Sequence, residues 1–307
     1  MPLLRGAASG IGLRVVGRRP RGRIADRARA TKASIMAPTS PGAPRLPVDP
    51  LGILGLLALI ALWWGLSEFR VVSHLALPPP GGVVATIAQN FFSSRYLANY
   101  HLGDGGLAGN LLYTISNVVI ALVVSCVVGI TLGFASARVD LFRAIADPIA
   151  LTAGTIPILV TAPFFLIWFG TSRGAQIALL ILYDVTIVYL FAQRAAANLD
   201  PTYVAASRTL GASPRRIVVD VYLMGALPEV FGGVRIALAG AWGLEAFSEL
   251  LGAPKGIGRV IQSMAADMDT QMMVAAIVAL AIIAVVFDVA IAGIFGFFTR
   301  WRRVARL

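Results

Sequence analysis

The apolar positions of this chain gather into six blocks, separated by polar intervals rich in proline and glycine. The first, residues 51–67 (LGILGLLALIALWWGLS), carries Trp63 and Trp64 near one end, where amphipathic rings settle at a membrane interface. The others fall at about 111–135, 147–169, 176–193, 229–251 and 272–298. Each block has the length that a helix needs to cross hydrocarbon, about 17–25 residues. The pattern therefore predicts an all-α membrane protein with six transmembrane helices. Gly129 and Gly133, four apart in the second block, predict a face for close helix packing. Pro157 and Pro163 interrupt the third. Prolines at membrane depth release backbone carbonyls and are tolerated where a helix meets protein or a water-filled cavity. That span is read either as pore-lining or as carrying a packing kink, with a short loop ARVDLFRA before it. Residues 70–106 read as an extracytoplasmic linker with one interfacial helix near 83–92, and residues 257–268 as a shallow helix.

The longest weakly apolar interval is residues 194–228, and it predicts two short helices around a turn. Asp200 precedes Pro201 as an N-cap precedes the first helical residue, and Gly211 suits the left-handed end of that helix. Ser213-Pro214 opens the second helix by the same logic. Arg194, Arg208, Arg215 and Arg216 stand here against Asp200 and Asp220. So basic a segment belongs on a membrane face, not within hydrocarbon.

Composition sharpens this picture. With 58% hydrophobic and 13% charged residues among 307, the chain is too apolar for a soluble domain. Its formal charge of +11 is mostly a terminal property: residues 1–49 hold 10 Lys/Arg and 2 acids, the rest 16 and 13. Residues 1–50 are expected to be a disordered basic arm. Met36 is an alternative start that would leave residues 1–35 untranslated. The balanced remainder excludes a nucleic-acid surface. With both termini cytoplasmic, 20 Lys/Arg lie inside and 5 outside, or 10 and 5 without the arm, which satisfies the positive-inside rule. Cys126 stands alone, so no intramolecular disulfide forms, and His74 and His101 lack the company of metal ligands. There is no GxxxxGK[ST], HExxH or GxSxG motif, so neither phosphate-loop ATP binding nor familiar hydrolase chemistry is written here.

Four acids fall inside predicted spans, where an unpaired charge costs at least ~2.5 kcal/mol. They are Asp184, Glu245, Glu249 and Asp288. Glu245 and Glu249 are one helical turn apart beside Trp242, and the expectation is that this face turns toward a cavity. Arg235 either neutralises one of the acids or attracts an anion. The resulting pathway candidates are Pro157, Pro163, Arg235, Trp242, Glu245 and Glu249. An ion- or proton-coupled secondary transporter using the four carboxylates as a relay is the alternative reading.

The segment AASRTLG, with Val221 and Leu223 further on, resembles the coupling loop of bacterial ABC importer permeases. That signature runs Glu-Ala-Ala, three residues, Gly, nine residues, an aliphatic residue, any residue, Leu-Pro. Ala206 and Gly211 match it. Ala205 stands for the Glu, Ser207 for the second Ala and Met224 for the Pro, although Pro228 follows. The wider strings LPPPGGVVATI, PILVTAPFFLIWFG and SELLGAPKGIGRVI resemble the nitrate/sulfonate/taurine branch, over roughly residues 77–262. This resemblance implies a type I permease with both termini cytoplasmic, in the bacterial inner membrane. It implies a homodimer or heterodimer among membrane lipid, with an extracytoplasmic solute-binding protein and separate ATPase subunits that bind ATP and Mg. The chain itself would be no enzyme and would hold no cofactor or metal, and its solute would be small and anionic. The ATPase-coupling residues would be Ala205, Ala206, Ser207, Arg208, Gly211, Arg215, Arg216 and Pro228.

Overall fold

A computed structural model describes residues 50–299. The expectations for the basic arm, for the start at Met36 and for the basic tail from Arg300 lie outside the described residues. All secondary structure among the described residues is helical. The chain divides into two units, Met1–Leu59 and Ile60–Leu307. The described part of the first unit is the opening of helix α1 (Pro50–Glu68).

In the second unit the end of α1 is tied to the following turn. The Trp63 indole donates to the Pro78 carbonyl at 3.0 Å and the Ser67 hydroxyl to the Leu77 carbonyl at 3.2 Å. Two short helices follow, α2 (Pro80–Asn90) and α3 (Arg95–Asn99), the latter capped by Ser94, which accepts from the Leu97 amide. Then come α4 (Gly106–Ser136), α5 (Asp140–Thr155), α6 (Ile158–Phe169) and α7 (Arg173–Ala197). After α8 (Pro201–Thr209) the chain enters one long helix, α9 (Pro214–Leu250), and finishes with α10 (Ile257–Ala266) and α11 (Thr270–Phe298).

Helices α1, α4, α7, α9 and α11 are each long and apolar enough to cross a membrane. The third block behaves differently from a single span. It begins at Asp140, so most of ARVDLFRA is helical, and it is two helices bent by 101° at Ile156–Pro157. Pro157 has no N–H to continue α5, and its fixed φ suits the residue that opens a helix, so it terminates one helix and caps the next. Pro163, by contrast, lies inside α6 without breaking it.

The core is built on α4, α7 and α9, with α4 packed along α7 and α7 along α9. Gly129 and Gly133 make the first seam. A methyl on Gly133 would stand 2.7 Å from the Ala192 Cβ and 2.8 Å from the Tyr189 carbonyl, inside van der Waals contact. Val118, Ala121, Leu179, Leu180, Leu238 and Ala241 fill the centre. A second cluster joins Leu107 and Leu111 of α4 to Val260 and Met264 of amphipathic α10 and to Met272 of α11. Asp147 of α5 ties three helices together: it accepts from the Ser136 hydroxyl at 3.1 Å and the Tyr189 hydroxyl at 2.5 Å.

Candidate functional site

Two regions carry the candidate chemistry: the corner between α7 and α9, and the centre of the bundle.

At the corner, α8 starts where the Asp-Pro pair predicts. The Asp200 carboxylate accepts from the Thr202 amide at 2.8 Å. Hydrogen bonds from the Thr202 side chain and amide hold Asp200 below the usual carboxylate range. The end of α8 is a left-handed cap. Gly211 has φ +77°, its amide donates to the Arg208 carbonyl, and the Ala212 amide reaches back to the Ser207 carbonyl at 3.0 Å. Nothing lies within 4 Å of a side chain built on Gly211, so the need for glycine there is conformational. Ser213 caps the next helix by accepting from the Arg216 amide.

That next helix is not short. From Pro214 the backbone passes through a wider π-helical stretch, Ile217–Leu223, and continues unbroken to Leu250. The run from Ile217 onward holds no glycine before Gly225 and no capping stop, and Pro228 is absorbed inside the helix. The second half of the expected loop is therefore the foot of a span, and Pro228 belongs to that span. Ala205, Ala206, Arg208, Arg215 and Arg216 are exposed, Ser207 is half-buried, and no residue of α8 is buried. Tyr203 and Leu210 also stand out from this corner, Leu210 with 87% of its surface free.

In the bundle, the structure revises the expected cavity face. Glu245 and Glu249 are fully buried. Glu245 accepts from Asn117 Nδ2 at 2.6 Å and from the Ser248 hydroxyl at 3.2 Å. Glu249 accepts from the Thr114 hydroxyl and the Gly258 amide, both at 2.7 Å. Asn110 Oδ1 takes the Gly256 amide at 2.9 Å and Thr114 Oγ1 the Ile257 amide at 3.1 Å. Side chains of α4 and α9 thus satisfy the free amides that open α10. The carboxylates point inward because unpaired oxygens facing lipid would cost several kcal/mol. Trp242 is a core residue too, edge-on to Phe287 at 5.4 Å. Arg235 neutralises an acid. Its Nε meets Asp288 Oδ1 at 2.8 Å and its Nη2 meets Oδ2 at 2.5 Å, between α9 and α11.

The face of α9 that meets open space is instead Gly240, Gly243 and Phe247, in a groove of about 430 Å³ shared with Ile158 and Tyr183. Beyond Tyr183 lies a cavity of about 730 Å³ in the elbow of α5 and α6 against α7. Of the sequence candidates Pro157 lines it; Pro163, Arg235, Trp242, Glu245 and Glu249 do not. Asp184, on α7, is buried with both oxygens lacking a hydrogen-bond partner, and no hydrogen bond joins the four acids into a relay among the described residues.

Sequence reasoning missed the partners on α4. Asn110, Thr114 and Asn117 recur at helical spacing in an apolar span, matching Glu245 and Glu249 across the seam, so the signal was present. It also missed Arg173, which donates to Asn117 Oδ1 at 2.7 Å and Ser116 Oγ at 2.6 Å.

Known proteins converge on one family. The chain is 29% identical over 240 residues to the taurine transport system permease protein of Escherichia coli (strain K12), covering 78% of this chain and 85% of that one. It is 26% identical over 231 residues to a Bacillus subtilis (strain 168) permease protein provisionally named for aliphatic sulfonate transport, covering 74% and 78%. Its fold matches the MetNI methionine ABC transporter in an inward-facing conformation, with TM-score 0.56 and 20% identity, over 67% of this chain and 99% of that one. Residues 129–304 match the binding-protein-dependent transport system inner membrane component family, and the chain belongs to that family, as a multi-pass protein of the inner membrane.

Proposed function

We infer that this chain is the membrane-spanning subunit of an ATP-driven ABC importer for a small organic anion of the sulfonate or taurine kind. The bent α5–α6 pair serves as one crossing, which gives six crossings with both termini cytoplasmic. ATP and Mg are bound by separate ATPase subunits, and the solute is delivered by an extracytoplasmic binding protein to a pair of permease chains. The observation that carries this reading is the α8 corner. A capped helix with no buried residue stands out between two membrane helices and presents Tyr203, Arg208, Leu210, Arg215 and Arg216. A firm, basic and partly apolar knob is what a soluble partner can grip. Ala205 and Ala206 lie exposed on it and allow close approach. With Ala205 in place of the family's Glu, docking rests more on the arginines.

The taurine and sulfonate relatives support the solute class, and the absence of a phosphate loop places hydrolysis on another chain. In operation, closure of the ATPases moves α8, and the spans rock between two states biased by nucleotide.

Affinity purification from native membranes tests this. An ATPase is expected to co-purify with the intact chain and to be lost with Gly211→Val, because a β-branched residue is strained at that φ. A chain that purifies alone and transports under a proton gradient would sink the reading.

A further inference from the structure

The cavity in the α5–α6 elbow has walls that specify what fits it. Phe164, Phe165 and Trp168 of α6 face Tyr183 and Ile187 of α7, and no charged side chain lines the space. Three threonines do, but each hydroxyl proton is already spent on its own helix. Thr155 donates to the Thr152 carbonyl at 2.8 Å, Thr161 to Ile158 at 2.9 Å and Thr186 to Leu182 at 2.9 Å. They reach the cavity as acceptors only. The Tyr183 hydroxyl makes no hydrogen bond among the described residues, so it is the one side-chain donor left on the wall.

An inorganic anion entering this space would exchange a full hydration shell for one donor and no cation, which is strongly unfavourable. An apolar, flat body gains instead, since aromatic walls supply contact area and favour ring–ring geometry. Size points the same way. About 730 Å³ suits a ligand with a ring or a long chain, and a two-carbon body would leave most of the wall without contacts.

Gly240 shapes this wall. A methyl there would overlap the Tyr183 hydroxyl and ring, so the bare backbone of α9 lets Tyr183 lie between the cavity and the neighbouring groove. One tyrosine therefore partitions the two spaces.

We propose that this cavity is a solute-binding site that takes the apolar body of an aryl or long-chain alkyl sulfonate, and that nitrate and taurine are not its ligands. The sulfonate remains at the open side of the cavity. This rests on the importer reading for the acidic head and on the cavity alone for the body.

Equilibrium dialysis of radiolabelled benzenesulfonate against the full-length chain in nanodiscs tests it, with any co-purifying ATPase measured in the same preparation. Saturable binding is expected, with taurine at least tenfold weaker as a competitor and nitrate without effect. Phe164→Ala and Trp168→Ala each weaken binding at least tenfold, while Val285→Ala, on an exposed stretch of α11, leaves it unchanged. Gly240→Ala, which drives Tyr183 from its place, also weakens it. Equal competition by nitrate or taurine would overturn the proposal. So would the absence of saturable binding, or a retained phospholipid that benzenesulfonate does not displace. Loss of the ATPase in the same preparation would count against the importer reading separately.

Discussion

At Arg235, two donors meet two acceptors of Asp288, and both side chains keep more than a third of their surface free of protein. Within a membrane span that pairing is what makes either residue tolerable, because one charge alone costs at least ~2.5 kcal/mol. Asp288→Leu alone is therefore expected to lower the yield of folded protein sharply, with Arg235→Leu close behind. The double substitution is expected to recover most of the loss, since it removes the pair and strands neither partner. Yield of monodisperse protein by size-exclusion chromatography reads all three. Asp184 presents the reverse case. Its carboxylate is buried against the apolar centre with no donor in reach, so the shape is accommodated but its charge is not. Asp184→Asn keeps the shape without the charge, and is expected to unfold no earlier than the native chain and to support undiminished uptake. Abolished uptake in that variant would favour a proton-coupled carrier.

Between elements, the α4–α7 seam depends on two glycines that the sequence spacing had already marked. Gly133→Leu would drive a side chain into Ala192 and the Tyr189 backbone. Overpacking of this kind costs about 1–3 kcal/mol. The damage should spread, because Tyr189 also holds Asp147 of α5. A lower thermal transition is expected for Gly133→Leu, and a much smaller change for Gly232→Leu, where nothing lies within 4 Å. The caps at Asp200, Gly211 and Ser213 were equally legible, since each is a local pairing of residue type with backbone geometry. The elbow was only half legible. Pro157 announced a break, but its 101° angle is set by how α6 packs back on α7 and α9, which no local pattern encodes. The inward turn of Glu245 and Glu249 was misjudged for a related reason. An acidic pair at one-turn spacing marks a polar face, and only the stripe of Asn110, Thr114 and Asn117 on another helix shows that the face is satisfied by protein.

Across the whole molecule, α9 joins the two regions of interest. It begins at Pro214, one turn beyond the exposed α8 corner, and its far half carries Gly240, Gly243 and Phe247 on the wall of the groove. No break intervenes, and Tyr222 near its foot is held beneath Arg138, whose guanidinium lies 4.1 Å from the ring centroid. A helix transmits displacement along its axis as long as its hydrogen bonds persist, and sharp bends need an identifiable interruption. The wide stretch Ile217–Leu223 is the one segment where that ladder is already altered, so it is the natural place to cut the lever. Inserting two glycines after Asp220 should leave α8, its caps and its exposed face intact, because none of the capping bonds involves residues beyond Ile217. The expected result is a permease that still retains its ATPase on purification but no longer imports solute, with ATP hydrolysis no longer stimulated by the binding protein. Gly211→Val should differ, losing the ATPase itself. If the glycine insertion left import intact, motion would have to reach the groove by another route, through α7 and its seam with α4, and α9 would be a scaffold and not the lever.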